Sequence, residues 1–143
     1  RSRFQTNGEI VTGLTIELGT EKTRGEIRRT MVSILQDRQR KFPRKLPNCG
    51  SVFVSNPAMY AEYGPPGAII ERLGFKGKVA GGAQVSPLHA NFIVNNGNAS
   101  AKDVQTLIRA IKATVLEKTG YAMEVEARFV TPQGTMVPAD LSA

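Results

Sequence analysis

The sequence predicts an α+β fold, with helices packed on a mixed, mostly antiparallel sheet. Three observations carry this expectation. Two long segments repeat their apolar residues at helical spacing, and several short runs alternate apolar with polar residues. Gly, Pro and Asn punctuation separates these segments in the order β-α-β-α-β-β-α-β. There is no internal repeat and no low-complexity tract.

Residues 9–18, EIVTGLTIEL, set Ile10, Leu14, Ile16 and Leu18 on one side, the pattern of a strand with one buried face. Thr23 and Glu26 form a capping-box pattern ahead of a long helix. On it Ile27, Met31, Ile34, Leu35 and Arg38 share a stripe, while Arg28, Arg29, Asp37 and Arg40 face water. Pro43 and Pro47 stop the helix. Residues 51–55 read as a strand cut by Asn56-Pro57, and the AMYAEYGPPG that follows reads as a loop. Pro66 suits the first turn of a short helix, AIIERL, which Gly74 ends. A short strand is expected between Lys76-Gly77-Lys78 and Gly81-Gly82. The glycine pair admits either a closely approaching ligand or a bulge. Residues 91–95 form the next strand, ended by Asn96-Gly97. Ser100 and Asp103 cap a second long helix, with Val104, Leu107, Ile108, Ile111 and Val115 on one face and Gly120 closing it. Met123, Val125, Ala127 and Phe129 then alternate with Glu124, Glu126 and Arg128 as a half-buried strand. Pro132-Gln133-Gly134 turns into an extended tail.

The length, 143 residues, suits one ordinary domain, and 41% apolar with 22% charged residues is a globular composition. No apolar run approaches the roughly 20 residues of a membrane helix. The opening RSRFQTNG lacks the apolar region of a secretory signal, and its first residue is Arg, which implies a longer gene product or processing. Cys49 is the only cysteine, so no internal disulfide can form and a reducing compartment fits. With one Cys and one His, no metal site is expected. The net charge of +7 and pI near 9.9 favour an anionic partner: nucleic acid, phospholipid or a phosphorylated metabolite. Much of that charge lies in residues 24–45, where a solvated helix face is an equally good explanation.

Ser51 stands at the mouth of a strand, either as a turn residue or as a proton donor on a rigid edge. As a nucleophile it would need a base, and His89 is the only imidazole. No G-x-S-x-G elbow surrounds it, which argues against a hydrolase triad. A lone histidine is more often structural than catalytic, and Glu126 alone reads as a solvated carboxylate. Neither a G-x-G-x-x-G turn nor a P-loop is present. The residues alone describe a basic α+β domain suited to an anion. A basic nucleic-acid-binding module is the alternative, disfavoured because aromatic residues make up 6% and do not interleave with the basic ones.

The ordered blocks GSVFVSNP, GPPGAIIERLGFKG, GGAQVSPLHANFIVNNGNAS and EVEARFV carry more. Over about residues 8–130 the chain resembles the C-terminal part of the UDP-N-acetylenolpyruvoylglucosamine reductase (UDP-N-acetylmuramate dehydrogenase) family. The resemblance implies a cytoplasmic flavoenzyme of peptidoglycan synthesis, with FAD bound by an N-terminal region and reduced by NADPH. Its substrate is UDP-N-acetylglucosamine enolpyruvate, with no nucleic acid or membrane partner. Ser51 matches the serine that protonates the substrate carbon, and Glu126 the carboxylate that helps an arginine polarise the substrate carboxylate. Asn56, Lys41, Lys76 and His89 match substrate-binding positions; residues holding the cofactor are not assigned. The implied division is 1–20 as the end of the flavin-binding domain with its last strand, 21–130 as the substrate-binding domain, and 131–143 as a tail. Arg1-Ser2-Arg3-Phe4 begins inside the family's Tyr-Arg-x-Ser motif, which places the catalytic arginine ahead of Arg1. By itself, then, the chain is expected to bind substrate without turning it over.

Overall fold

A computed structural model describes residues 3–5, 7–19 and 21–141; Arg1 and Ser2, which open the motif above, lie outside the described residues. The chain divides into two units, Arg1–Leu35 and Gln36–Ala143, with the boundary inside its first helix.

In the first unit the strand expected at 9–18 does not form. Its alternation is real, yet Ile10 is 86% exposed and Leu14 and Leu18 each 79%. A strand is held by a ladder of inter-strand hydrogen bonds, and no described segment offers 9–18 an edge. Alternation marks a face suited to cover without supplying the cover. Helix α1, Arg24–Lys41, does form. Its capping box is complete: the Thr23 amide and hydroxyl donate to Glu26 Oε2 at 2.8 and 2.7 Å, and the Glu26 amide donates to Thr23 Oγ1 at 3.3 Å. No residue of α1 is buried, the apolar stripe of Ile27, Met31, Ile34 and Leu35 included.

The second unit holds α2 (Pro57–Tyr60), α3 (Pro66–Arg72), β1 (Val79–Ala80), β2 (Ala83–Val85), β3 (Ile93–Asn95), α4 (Ala101–Thr119), β4 (Arg128–Val130) and β5 (Met136–Pro138). Strands β1, β2 and β3 form one antiparallel sheet, with Val79 opposite Gln84 and Val85 opposite Ile93. Strands β4 and β5 form an antiparallel hairpin with Phe129 opposite Val137. The described strands all pair antiparallel, in keeping with the expected α+β fold. Helix α4 starts with Ser100 Oγ accepting from the Asp103 amide at 3.2 Å and Asp103 Oδ2 accepting from the Ser100 amide at 2.9 Å. It ends at Gly120 in the left-handed conformation (φ 69°), which a glycine adopts without a Cβ penalty. Its stripe of Leu107, Ile108, Ile111 and Val115 is buried with Val85 and Ile93 of the sheet, Ile69 and Ile70 of α3, and Val52 and Phe53. Each such side chain withdrawn from water contributes about 1.5–3 kcal/mol.

Three local expectations change. The pair Gly81-Gly82 is filled by protein: a Cβ on Gly81 would lie 2.4 Å from the Asp103 carboxyl, and one on Gly82 2.4 Å from the Ala99 amide nitrogen. The glycines let the start of α4 pack against the sheet. Residues 57–60 form α2 where a loop is expected, because Asn56 caps the turn through Oδ1 to the Ala58 amide (3.0 Å) and Pro57 pre-sets its first residue. Finally, 51–55 and 123–127 are extended and hydrogen-bonded but joined by the single bridge Phe53–Val125, and beyond it a regular ladder forms only between β4 and β5.

Candidate functional site

Three extended pieces of the second unit lie side by side. The 51–54 segment is central. On one flank the Val54 amide donates to Glu124 O (2.9 Å) and the Glu126 amide to Val52 O (2.8 Å); on the other the Val52 amide donates to Asn91 O (2.9 Å). The Ala127 amide shares Val52 O at 3.3 Å. Two successive amides on one carbonyl are the mark of a β-bulge. Val52 and Ala127 both stay buried beside the bulge, while Glu126 is exposed and Ser51, the next residue along the central segment, is exposed too. The proposed proton donor and carboxylate thus occupy adjoining segments. Neither side chain has a hydrogen-bond or ion-pair partner among the described residues.

His89 lies on the outer flank. Its Nδ1 accepts from the Asn91 amide at 3.2 Å, so the neutral ring carries its proton on Nε2. Phe42 stacks on the ring at a centroid distance of 5.2 Å and 15°, and Phe92 meets it edge-on at 5.1 Å. A Cβ on Gly67 would come within 2.9 Å of the ring, so α3 approaches this closely only through a glycine. Burial holds the imidazole below its ordinary pKa, Lys76 acts in the same direction, and a hydrogen bond to the histidine's own backbone and Glu71 oppose them. A pocket of 200 Å³ lies against it, lined by Pro65, Gly67, Ala68, Glu71, Leu88 and His89 among others. A larger pocket, 630 Å³, has an apolar floor of Phe42, Pro43, Leu46 and Leu88 with Arg44 and Lys45 on its lining.

The remaining candidates are engaged with the protein itself. Lys41, one residue before Phe42, pairs with Asp37 at 2.7 Å on α1, and Lys76 pairs with Glu71 at 2.7 Å. Both pairs reach solvent, where an ion pair is weak enough for a polyanion to displace. Asn56 uses Oδ1 as the α2 cap and donates Nδ2 to the Tyr121 hydroxyl at 2.7 Å. Its next-door hydroxyls, Ser55 and Tyr60, hydrogen-bond to each other. Among the described residues no group of three His, Cys, Asp or Glu side chains could hold a metal ion, and no helix is long and apolar enough to cross a membrane.

Sequence reasoning missed Phe42, Asn91 and Tyr121. Asn91 did carry a signal, a side-chain amide directly before the apolar run 92–94. Nothing in the spacing marks Phe42 as the partner of a ring 47 positions away.

A sequence profile described as UDP-N-acetylenolpyruvoylglucosamine reductase, C-terminal domain, matches residues 42–130, which include Ser51, Asn56, Lys76, His89 and Glu126. UDP-N-acetylenolpyruvoylglucosamine reductase 1 of Corynebacterium glutamicum is 47% identical over 115 residues, covering 80% of this chain and 34% of that protein. The reductase of Synechococcus sp. is 42% identical over 92% of this chain and 42% of its own length. The crystal structure of UDP-N-acetylenolpyruvylglucosamine reductase from Thermus caldophilus superposes with a TM-score of 0.55 at 34% identity, covering 75% of this chain and 35% of that one. The chain thus spans between a third and somewhat over two fifths of the length of these relatives.

Proposed function

The chain belongs to the UDP-N-acetylenolpyruvoylglucosamine reductase family, and we propose that it forms the sugar-nucleotide-binding, proton-donating part of such a cytoplasmic enzyme in peptidoglycan synthesis. The substrate in this reading is UDP-N-acetylglucosamine enolpyruvate. FAD and NADPH supply the hydride when bound. Gly81-Gly82, where a phosphate could approach main chain, is filled by Asp103 and Ala99, so this pair does not fit a flavin phosphate.

What the chain contributes is charge and a proton. Saturating the enolpyruvyl double bond puts negative charge on the carbon next to the carboxylate, and that carbon must gain a proton. An alcohol is a weak acid, yet an enolate-like carbon is basic enough to take its proton, and Ser51 has a hydroxyl that no other side chain among the described residues engages. Glu126, on the adjoining segment, is the carboxylate that orients the charge-stabilising arginine expected from elsewhere. The diphosphate needs cations and N–H donors. Lys41 and Lys76 supply the first by leaving Asp37 and Glu71, the Nε2–H of His89 and the amide of Asn56 the second. The single observation that carries this reading is the bond from the Glu126 amide to the carbonyl of Val52, the residue after Ser51.

The test uses the complete reductase and the Ser51→Ala variant. NADPH should still bleach the flavin of the variant, while UDP-N-acetylmuramate formation falls by about a hundredfold or more, the usual weight of a positioned proton donor. Unchanged turnover would remove Ser51 from the chemistry. Saturable calorimetric binding of UDP-N-acetylglucosamine enolpyruvate, with none for random-sequence RNA, is the companion result; RNA binding alone would favour a nucleic-acid module instead.

A further inference from the structure

Asn91 is 6% exposed, one of two buried polar residues in the described chain, and it has a partner for every polar group it turns inward. Its Oδ1 accepts from the Phe53 amide at 2.9 Å, and its Nδ2 donates to Phe53 O at 3.0 Å. Its carbonyl accepts from the Val52 amide at 2.9 Å. Its own amide donates to His89 Nδ1 at 3.2 Å. The side chain thus stands in for a neighbouring strand, meeting one residue's N–H and C=O together as a paired peptide would. The same residue's main chain reaches outward to the imidazole. Phe42 on one face, Phe92 at the edge and Gly67 against the rim leave that ring little room to turn.

We propose that Asn91 is a positioning residue of this site: one buried amide holds the main chain beside Ser51 in place and, through its own N–H, keeps His89 in the tautomer that presents Nε2–H outward. The proton donor and the imidazole are thereby set relative to each other by a single residue, its side chain on one and its main-chain N–H on the other, although they lie 38 positions apart in the chain. Part of this is geometric and independent of any activity. Its consequence for turnover rests on the reductase reading given above.

The chain's single histidine makes the geometric part directly observable by long-range ¹H–¹⁵N correlation. The wild-type chain, held well above the ordinary imidazole pKa, should show only the Nε2-protonated tautomer. The informative variant is Asn91→Asp: an ionised carboxylate still accepts the Phe53 amide but repels the Phe53 carbonyl, whereas a protonated one regains the donor. At neutral pH this variant should show both tautomers. Its Val52 and Phe53 amides should exchange with solvent about tenfold faster, with the Ile108 and Ile111 amides of α4 unchanged. Acidification that protonates the new carboxyl should reverse the exchange difference from wild type. A tautomer mixture already present in the wild type overturns the proposal; so does faster exchange spread evenly through α4, and so does no change at all.

In the complete reductase, Asn91→Asp should slow oxidation of the reduced flavin by the sugar nucleotide about tenfold more than its reduction by NADPH, as misplacement of one reacting group does. Equal slowing of both half-reactions would reduce Asn91 to a residue of general stability and overturn its positioning role. If Ser51→Ala turns over normally while the tautomer and exchange results hold, the reductase reading fails and the geometric role of Asn91 stands.

Discussion

His89 shows how a residue's environment changes its chemistry. Burial is the main cause that keeps the ring neutral, aided by Lys76 and opposed by a hydrogen bond to the residue's own backbone and by Glu71. Since the folded-state pKa lies below the ordinary 6.5, acidification protonates the unfolded chain first. Stability is then lost as pH falls below about 6.5, and the loss levels off beneath the folded-state pKa. His89→Gln should flatten this part of the profile, so thermal melts of wild type and variant should converge between about pH 7 and pH 5. Equal slopes for the two proteins would mean that the imidazole is not restrained in the fold. His89, Ser51 and Glu126 were all legible as candidates from ordered motif blocks. Phe42 was not, and Asn91 only as an amide before an apolar run, because a side chain that matters through whom it touches leaves little mark in local spacing.

The two long helices share a sequence signature and differ in outcome. Both begin with a reciprocal capping box, and both repeat apolar residues three and four apart. Yet α4 buries Leu107, Ile108, Ile111 and Val115, while α1 buries nothing. Ile111→Ala should therefore cost about 2–5 kcal/mol in urea unfolding, from lost transfer energy and the cavity left behind. Ile27→Ala, on an exposed stripe, should stay within about 0.5 kcal/mol. Comparable losses for both would mean that α1 is covered in solution. The same distinction separates the strands. Residues 91–95 find β2 and become β3 over Ile93–Asn95, whereas 9–18, with the cleaner alternation, find no edge. Periodicity marks the face an element would bury, but whether it forms and is buried depends on the partner.

For the molecule as a whole, the division at Leu35 is where protease sensitivity should change. Residues 8–19 carry no helix or strand and are exposed, and Lys22, Arg24, Arg28 and Arg29 are exposed beside them. Limited trypsinolysis should cut there and along α1 first, leaving a resistant product that retains Ser51 to Arg128, as mass spectrometry would show. A first cut between β1 and α4 would contradict this. The charge is informative only at this scale too: +7 is compatible with a nucleic-acid partner as well as a diphosphate, and ordered motif agreement distinguishes them where composition does not.

The sequence by itself determined the two long helices with their caps, the turn glycines, the mostly antiparallel α+β character and the family, because each is written in short-range patterns or in blocks read in order. Tertiary structure alone decided that 9–18 stays unpaired, that the glycine pair is closed by α4, that the segment of Glu126 pairs beside Ser51, and that Asn91 ties that segment to His89. The physical reason is common to all four. Hydrogen bonds and packing between residues distant in the chain depend on which surfaces meet, and no local pattern encodes the partner.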